Sequence, residues 1–331
     1  MVPMTEKVQF VPMHATFGAE VKGVDFSNPV SEDALEALKD GLGKYGVIVM
    51  RDTKMTDEQF VTFSERFGEL APNGTGSERF ACQKLSDPSN LYPDGSMVKE
   101  GELRWFLAKE TNLFHVDNSH DPRRVRFTAL IARECPPEGT GGPTEFADTR
   151  AAYDDLDGET KKLVEGKVAA HSHIQSRKVA LPNFPTFATV DAADYPMFRF
   201  PLVVTHRGSD RKNLYLAHMI HHIEGMDEKE SSALIQKLMQ HAEQEKYITP
   251  VYYKQPGDVV MWDNTAVMHR AGKGDWAGRH RRDIRKTTTY DNTPEEWGLN
   301  DKSTPKFLAN PVFVARHEEL FGKDGVAMEY V

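Results

Sequence analysis

The sequence predicts a mainly β domain, a sandwich or jelly roll with helices packed outside it, and three observations lead there. Short segments rich in β-branched and aromatic residues recur along the chain, and turn residues such as Pro136-Pro137, Gly141-Gly142-Pro143 and Pro256-Gly257 punctuate them. Helical patterns are few and do not alternate with the strands, as a parallel doubly wound sheet requires. No G-x-G-x-x-G or G-x-x-x-x-G-K-[S/T] loop is present to favour a nucleotide-binding α/β fold.

The elements follow in order. Ser31 is an N-cap for a helix over Asp33 to Leu42, and Val47 to Met50 reads as a strand. Thr56 opens a helix over Asp57 to Phe67, with Gln59 in capping-box spacing and Gly68 as its stop. Strands are expected at Thr128 to Ala132, Thr144 to Ala147, Leu202 to Thr205 and Asn213 to Ala217. A third helix is expected over Asp227 to Lys246, where Leu234, Ile235, Leu238, Met239 and Ala242 form one apolar stripe. Strands at Ile248 to Tyr253, Asp258 to Trp262 and Ile284 to Tyr290 complete the pattern. With no repeat, low-complexity tract or linker, residues 1–331 are expected to form a single domain, with 294–331 a C-terminal extension whose role the sequence leaves open.

Composition narrows the function. The chain is 39% hydrophobic over 331 residues, enough for a sizeable core and against disorder. A net charge of −9, with no basic run longer than His280 to Arg282, argues against nucleic acid or anionic membrane as partner. Cys82 and Cys135 alone make neither a disulfide framework nor a thiolate zinc site, while 13 His tilt any metal site toward nitrogen and oxygen ligands. No stretch approaches the roughly 20 apolar residues that span a bilayer, and Met1 to Ala19 lacks a signal-peptide core, so the expected location is cytoplasmic. The sequon Asn73-Gly74-Thr75 is set aside, since nothing else points to secretion. A small molecule is the expected partner, and a homo-oligomer is left open.

Four H-x-[D/E] triplets start at His115, His222, His241 and His317. In an extended strand, residues i and i+2 share a face, so His115 and Asp117 can converge on one ion. His241 lies in the expected helix, where i and i+2 diverge, and His317, within Arg316-His317-Glu318-Glu319, reads as part of a solvated face. His222 belongs to the cluster His218, His221, His222 and Glu224, which lacks H-E-x-x-H spacing and reads as a turn before the long helix. What favours His115 lies downstream: Gly257-Asp258 through Trp262-Asp263-Asn264 reads as turn and buried strand, then His269 follows, then Arg282. Two His and one carboxylate on one face of an octahedron suit non-haem Fe(II), and a fixed Arg suits a dicarboxylate.

These motifs, with Gly141 to Tyr153 between them and Phe17 to Asp25 ahead of them, resemble the Fe(II)- and 2-oxoglutarate-dependent dioxygenases of the taurine dioxygenase family, in particular its 2,4-dichlorophenoxyacetate dioxygenase-like members. The likeness spans roughly residues 8 to 293. It implies a double-stranded β-helix (a cupin-like jelly roll) with flanking helices, and His115, Asp117 and His269 as ligands to Fe(II). It also implies 2-oxoglutarate with its far carboxylate on Arg282 and a hydrogen bond from Thr144, and O2 as oxidant. Decarboxylation of 2-oxoglutarate to succinate and CO2 would then drive hydroxylation, desaturation or cyclisation of a small organic substrate. Trp262, Asp263 and Asn264 are read as structural or supporting.

Lys286, four positions beyond Arg282, stands where the family usually has an Arg that meets the substrate's anion. An ammonium still attracts a carboxylate or sulfonate but loses the bidentate fork. Arg285 is the alternative, because adjacent strand residues face oppositely. Asn118 follows the first ligand pair on the substrate side, and Asn118 to Arg124 is more charged than the corresponding stretch in the herbicide-degrading members, which argues against an aryloxyacetate. The loop Gly272 to Gly278 is slightly enlarged, and Tyr92 to Phe106 reads as a lid or a plain surface loop. Two other readings stay open: a zinc-dependent hydrolase using these or the His218 to Glu224 ligands, and a catalytically silent jelly-roll binding protein.

Overall fold

A computed structural model describes residues 7–72, 78–274 and 276–322, so the Asn73 sequon lies outside the described residues. Among them the chain runs through strands β1 (Gln9–Pro12), β2 (Ala19–Lys22), β3 (Val47–Met50), β4 (Val125–Glu134), β5 (Thr144–Asp148), β6 (Val168–His171) and β7 (Phe198–Pro201). Strands β8 (Val203–His206), β9 (Arg211–Leu214), β10 (Ile220–Ile223), β11 (Ile248–Val251), β12 (Val259–Asp263), β13 (Val267–Ala271) and β14 (Asp283–Tyr290) follow. The helices are α1 (Glu32–Tyr45), α2 (Asp57–Glu65), α3 (Leu103–Leu107), α4 (Thr149–Asp154), α5 (Gly158–Val164), α6 (His173–Ala180), α7 (Pro185–Ala188), α8 (Glu228–Ala242) and α9 (Asn310–Phe321).

Two sheets face each other. The larger has the order β1-β2-β3-β12-β4-β14 and the smaller β11-β5-β13, with β2 and β3 parallel and the other pairs in these two sheets antiparallel. The period-2 pattern of the central strands decides what lies on each face. Val47, Val49, Leu130, Ala132, Val260, Trp262 and Ile284 point inward and meet Phe146, Val251 and Val267 of the smaller sheet. Their neighbours Ile48, Met50, Ala129, Ile131, Val259 and Met261 point the other way, against Leu35, Leu38 and Leu42 of α1 and Phe60 and Phe63 of α2. A sheet buried on both faces explains the unbroken apolar run of Val47 to Met50. The architecture is the expected cupin-like jelly roll with flanking helices.

Local cap chemistry set the expected helices well. Ser31 accepts from the Ala34 amide, Gly46 ends α1 in the left-handed region at φ 71°, and both hydrogen bonds of the Thr56/Gln59 capping box form. Such a cap contributes about 1 kcal/mol. The longest expected helix, Asp227 to Lys246, is shorter than expected: α8 ends at Ala242, the last residue of its apolar stripe, and Glu245–Tyr247 is a 3-10 turn. The expected strand Leu202 to Thr205 is β8, shifted by one residue to Val203–His206, because Leu202 turns fully inward between β7 and β8. The strand expected at Asn213 to Ala217 stops at Leu214.

His317 is a correction. It is buried in α9 rather than solvated, with its Nδ1 3.0 Å from Thr186 Oγ1 and its ring against Phe184. Phe313, His317 and Phe321 are spaced i, i+4, so one face of α9 closes an aromatic cluster of Phe106, Phe184, Phe187 and Phe313. Among the described residues no helix is long and apolar enough to cross a membrane.

Candidate metal centre

Strand β14 settles which basic residue enters the jelly roll. Ile284 faces the inter-sheet core, so Lys286 lies on the same face. Arg285 and Thr287 face α2 instead: Arg285 pairs with Asp57 and, at 3.2 Å, with Asp283, and Thr287 Oγ1 lies 2.7 Å from Ser64 Oγ. Arg285 therefore faces away from the inter-sheet core.

His115 and His269 are brought together by an isolated antiparallel bridge. The His115 amide donates to the His269 carbonyl at 2.9 Å and the reverse bond is 2.8 Å. The segment around His115 is therefore not a regular strand, and Asp117 sits in a turn, followed by Asn118 at φ 51°. The convergence expected from strand geometry is achieved by a bridge and a turn. His115, Asp117 and His269 form a group whose ligand-type atoms all lie within 4.8 Å of one another. Among the described residues it is the one such group.

Each member is held by a neighbour. His115 Nδ1 lies 2.7 Å from the Leu113 carbonyl, which fixes the tautomer with Nε2 bare. Thr128 Oγ1 donates to Asp117 Oδ2 at 2.7 Å, and the Asp117 amide donates to Asn264 Oδ1 at 2.9 Å. Asn264 Nδ2 in turn donates to Thr128 Oγ1 at 3.0 Å, closing a ring of bonds around the carboxylate. The Trp262 ring packs against the His269 ring, 4.5 Å between centroids. Burial alone would raise the Asp117 pKa, but Lys286, His269 and His115 hold it well below the usual range. Burial pushes His269 well below the ordinary imidazole value, with His115 adding to the effect and Asp117 opposing it. A neutral His269 and an ionised Asp117 are the protonation states that bind a divalent ion.

Lys286 Nζ lies 2.6 Å from Asp117 Oδ1, at the edge of the same group. Arg282 is 6% exposed, its Nε is buried without a partner, and its side chain has no hydrogen-bond or ion-pair partner among the described residues. Tyr253 and Trp276 flank the guanidinium, 5.4 and 5.3 Å from ring centroid to carbon. The enlarged loop therefore brings Trp276 onto Arg282, and Asp275 within it lies outside the described residues. Its approach depends on Gly141 and Gly274, which bridge so closely that a Cβ on Gly141 would stand 2.5 Å from the Gly274 Cα. Thr144, buried at the start of β5, has its hydroxyl 3.1 Å from Tyr253 OH. All seven expected site residues, His115, Asp117, Asn118, Thr144, His269, Arg282 and Lys286, line one cavity of about 790 Å³. Asn118 lines it while donating to Asp121 at 2.8 Å.

Other expectations resolve differently. His218 pairs with Glu243 at 2.8 Å, His221 with His222 at 3.0 Å, and Glu224 with Arg199, so that cluster does not converge. His241 packs in α8 with Nε2 2.8 Å from the Ala152 carbonyl. Arg123 and Arg124 do not line the cavity. They clamp Glu296 and Asp291, so much of the charge after Asp117 is structural. Tyr92 to Phe106 is no plain surface loop, since Phe106 is buried in the aromatic cluster and Pro93 and Arg104 line the cavity. Sequence reasoning missed Thr128, whose contact with Asp117 crosses between β4 and the ligand turn. It also missed His120 and His173, whose tilted rings lie 3.8 Å apart in the cavity wall.

The donor set fits Fe(II), with three ligands on one side leaving sites open. The buried, partnerless Arg282 fits the far carboxylate of 2-oxoglutarate. The chain matches the family described as Taurine catabolism dioxygenase TauD, TfdA family over residues 9–288. It is 32% identical to the alpha-ketoglutarate-dependent 2,4-dichlorophenoxyacetate dioxygenase of Cupriavidus pinatubonensis, covering 85% of this chain and 97% of that one. It is 31% identical to the (S)-phenoxypropionate/alpha-ketoglutarate-dioxygenase of Sphingobium herbicidovorans, covering 82% of this chain and 92% of that one. A crystal structure of AAD-2 with Mn(II) and N-oxalylglycine superposes with a TM-score of 0.78 at 31% identity, over 87% of this chain and 99% of that one. Sequence match, jelly roll and His-Asp-His group agree: the chain belongs to the TauD/TfdA dioxygenase family, and is an oxidoreductase dependent on Fe(II), 2-oxoglutarate and O2.

Proposed function

We propose that the protein oxidises a small anionic organic substrate, a carboxylate before a sulfonate, with release of succinate and CO2, and that residues 1–331 act as one catalytic unit. The observation that carries the reading is the pairing of the His115, Asp117, His269 group with Arg282, which has no hydrogen-bond or ion-pair partner for its side chain among the described residues, in one cavity. His115, Asp117 and His269 would hold Fe(II). Arg282 would hold the far carboxylate of 2-oxoglutarate, with the Thr144 hydroxyl beside it. When bound, iron and cosubstrate supply the oxidant for C–H chemistry.

The chain's own residues do the rest. Thr128 and Asn264 orient the Asp117 carboxylate, and Trp262 fixes the His269 ring. Tyr253 and Trp276 shield Arg282 from water, which strengthens its attraction for a carboxylate. Lys286 would meet the substrate's anion once Asp117 is shared with a metal, and Asn118 lines the adjacent wall. Relatives named for phenoxyacetate and phenoxypropionate support a carboxylate.

The test is a screen of carboxylates and sulfonates scored by succinate formation coupled to substrate loss, with and without 2-oxoglutarate. Oxidation strictly dependent on 2-oxoglutarate supports the reading. Zinc-supported hydrolysis with no response to 2-oxoglutarate would overturn it.

A further inference from the structure

The family match ends at residue 288, yet the chain returns to the cavity well beyond it. Lys306, Leu308, Ala309, Asn310 and Pro311 line the same cavity as the metal-binding group. This segment is anchored, not draped. Lys306 Nζ lies 2.7 Å from Asp121, the carboxylate that also accepts from Asn118 beside Asp117. Arg177 Nη2 donates to Asn310 Oδ1 at 2.9 Å, and Ala309 and Phe313 are fully buried against α6 and α7. Leu308, by contrast, is 44% exposed and carries no such constraint.

The charges lining the cavity divide sharply. Arg79 pairs with Asp87 at 2.8 Å, Arg104 with Asp87 at 3.5 Å, Arg177 with Glu110 at 2.9 Å and Lys306 with Asp121 at 2.7 Å. The two remaining lining cations are Arg282 and Lys286, both from the β14 end, and among the described residues the acidic partner of Lys286 is the proposed metal ligand Asp117. Unmatched positive charge therefore serves two anions, one of them the cosubstrate. A cavity of about 790 Å³ is in the range that encloses a drug-sized ligand, more than a short acid requires.

Resting on the reading of the centre above, we propose that residues 306–311 are a specificity wall and that the substrate is an extended monoanion. Its charged group meets Lys286, and its uncharged remainder runs along Leu308 to Asn310. A second carboxylate is rejected there because the cations flanking that segment, Lys306 and Arg177, are already paired with Asp121 and Glu110.

The experiment uses the full chain loaded with Mn(II) and N-oxalylglycine, titrated calorimetrically with straight-chain monocarboxylates from butanoate to dodecanoate, their ω-hydroxy forms and the matching dicarboxylates. Affinity should rise with length, with dicarboxylates about tenfold weaker than ω-hydroxy acids of equal length. Leu308→Trp should weaken the long members about tenfold while butanoate and N-oxalylglycine stay within about twofold. Lys306→Met, which frees Asp121, should weaken dicarboxylates further. Equal effects of Leu308→Trp on short and long acids, tighter binding of dicarboxylates, or no binding by any member to protein that holds N-oxalylglycine would each overturn the proposal. Failure to bind Mn(II) and N-oxalylglycine would instead overturn the reading of the centre.

Discussion

Lys286 Nζ and Asp117 Oδ1 stand 2.6 Å apart, a pair formed between the last strand of the large sheet and the turn that carries Asp117, two residues beyond the bridged His115. In the function proposed above, a divalent ion on Asp117 would draw on the same carboxylate charge and release Lys286 as an anion receptor, which would couple metal site and substrate site through one carboxylate.

Lys286→Met should raise the KM for the anionic substrate by about tenfold to a hundredfold, the worth of a charged hydrogen bond at 1.5–3 kcal/mol. The KM for 2-oxoglutarate should change little, and Lys286→Arg should retain most of the substrate affinity. Steady-state kinetics with each reactant varied separately checks this. A loss confined to 2-oxoglutarate would contradict the assignment.

Arg282→Met separates binding from stability. In the wild-type protein, 2-oxoglutarate with Mn(II) should raise the unfolding temperature, since a ligand at a hundred times its Kd stabilises by about 2.7 kcal/mol. The variant should lose that rise yet be no less stable without ligand, because it removes a buried cation that has no partner among the described residues. Thermal scans with and without 2-oxoglutarate measure both effects. A variant destabilised without ligand and still stabilised by 2-oxoglutarate would show a structural role.

Asn264→Ala and Thr128→Val remove the bonds that hold Asp117 without replacing any of the three proposed ligand residues. Each should reduce Mn(II) affinity about ten- to a hundredfold with the fold retained. Metal titration followed by electron paramagnetic resonance reads this directly, and unchanged affinity in both variants would show that the carboxylate needs no such support.

The buried imidazoles predict acid sensitivity. Burial pushes His171 down to about 3, and burial with help from Arg177 pushes His173 down to about 3, against 6.5 ordinarily. Below pH 6.5 the unfolded chain takes up protons that the folded chain refuses, so stability is full above that pH and is lost as pH falls toward 3. Urea unfolding at pH 7.5 and pH 5 should show the loss, and His171→Gln should make it shallower. Equal midpoints at the two pH values for the wild-type protein would contradict this.

The parts of the fold readable from sequence were those written locally. Ser31, Thr56 and Asp227 cap helices through amides three residues away, and the apolar and β-branched runs of β3, β12 and β14 need no distant context. Helices α3 to α7 and α9 were hidden because they are too short to show a period or, in α9, because Phe313, His317 and Phe321 make sense only against Phe184 and Phe187. At the site, His115, Asp117, His269, Thr144, Arg282 and Lys286 were found through the ordered motifs that resemble the family. Thr128 and the wall at Lys306 to Pro311 were not, since their roles arise from partners far away in the chain.

The central claim, that His115, Asp117 and His269 hold the iron and Arg282 the cosubstrate, is tested most directly under anaerobic conditions. Addition of Fe(II) and 2-oxoglutarate to the wild-type protein should produce the weak visible charge-transfer band of chelated iron. The band should vanish in His115→Ala, Asp117→Ala and His269→Ala, and in Arg282→Met it should need far more 2-oxoglutarate. A band that persists in all three ligand variants, or none at all in folded wild-type protein that binds the metal, would contradict the account.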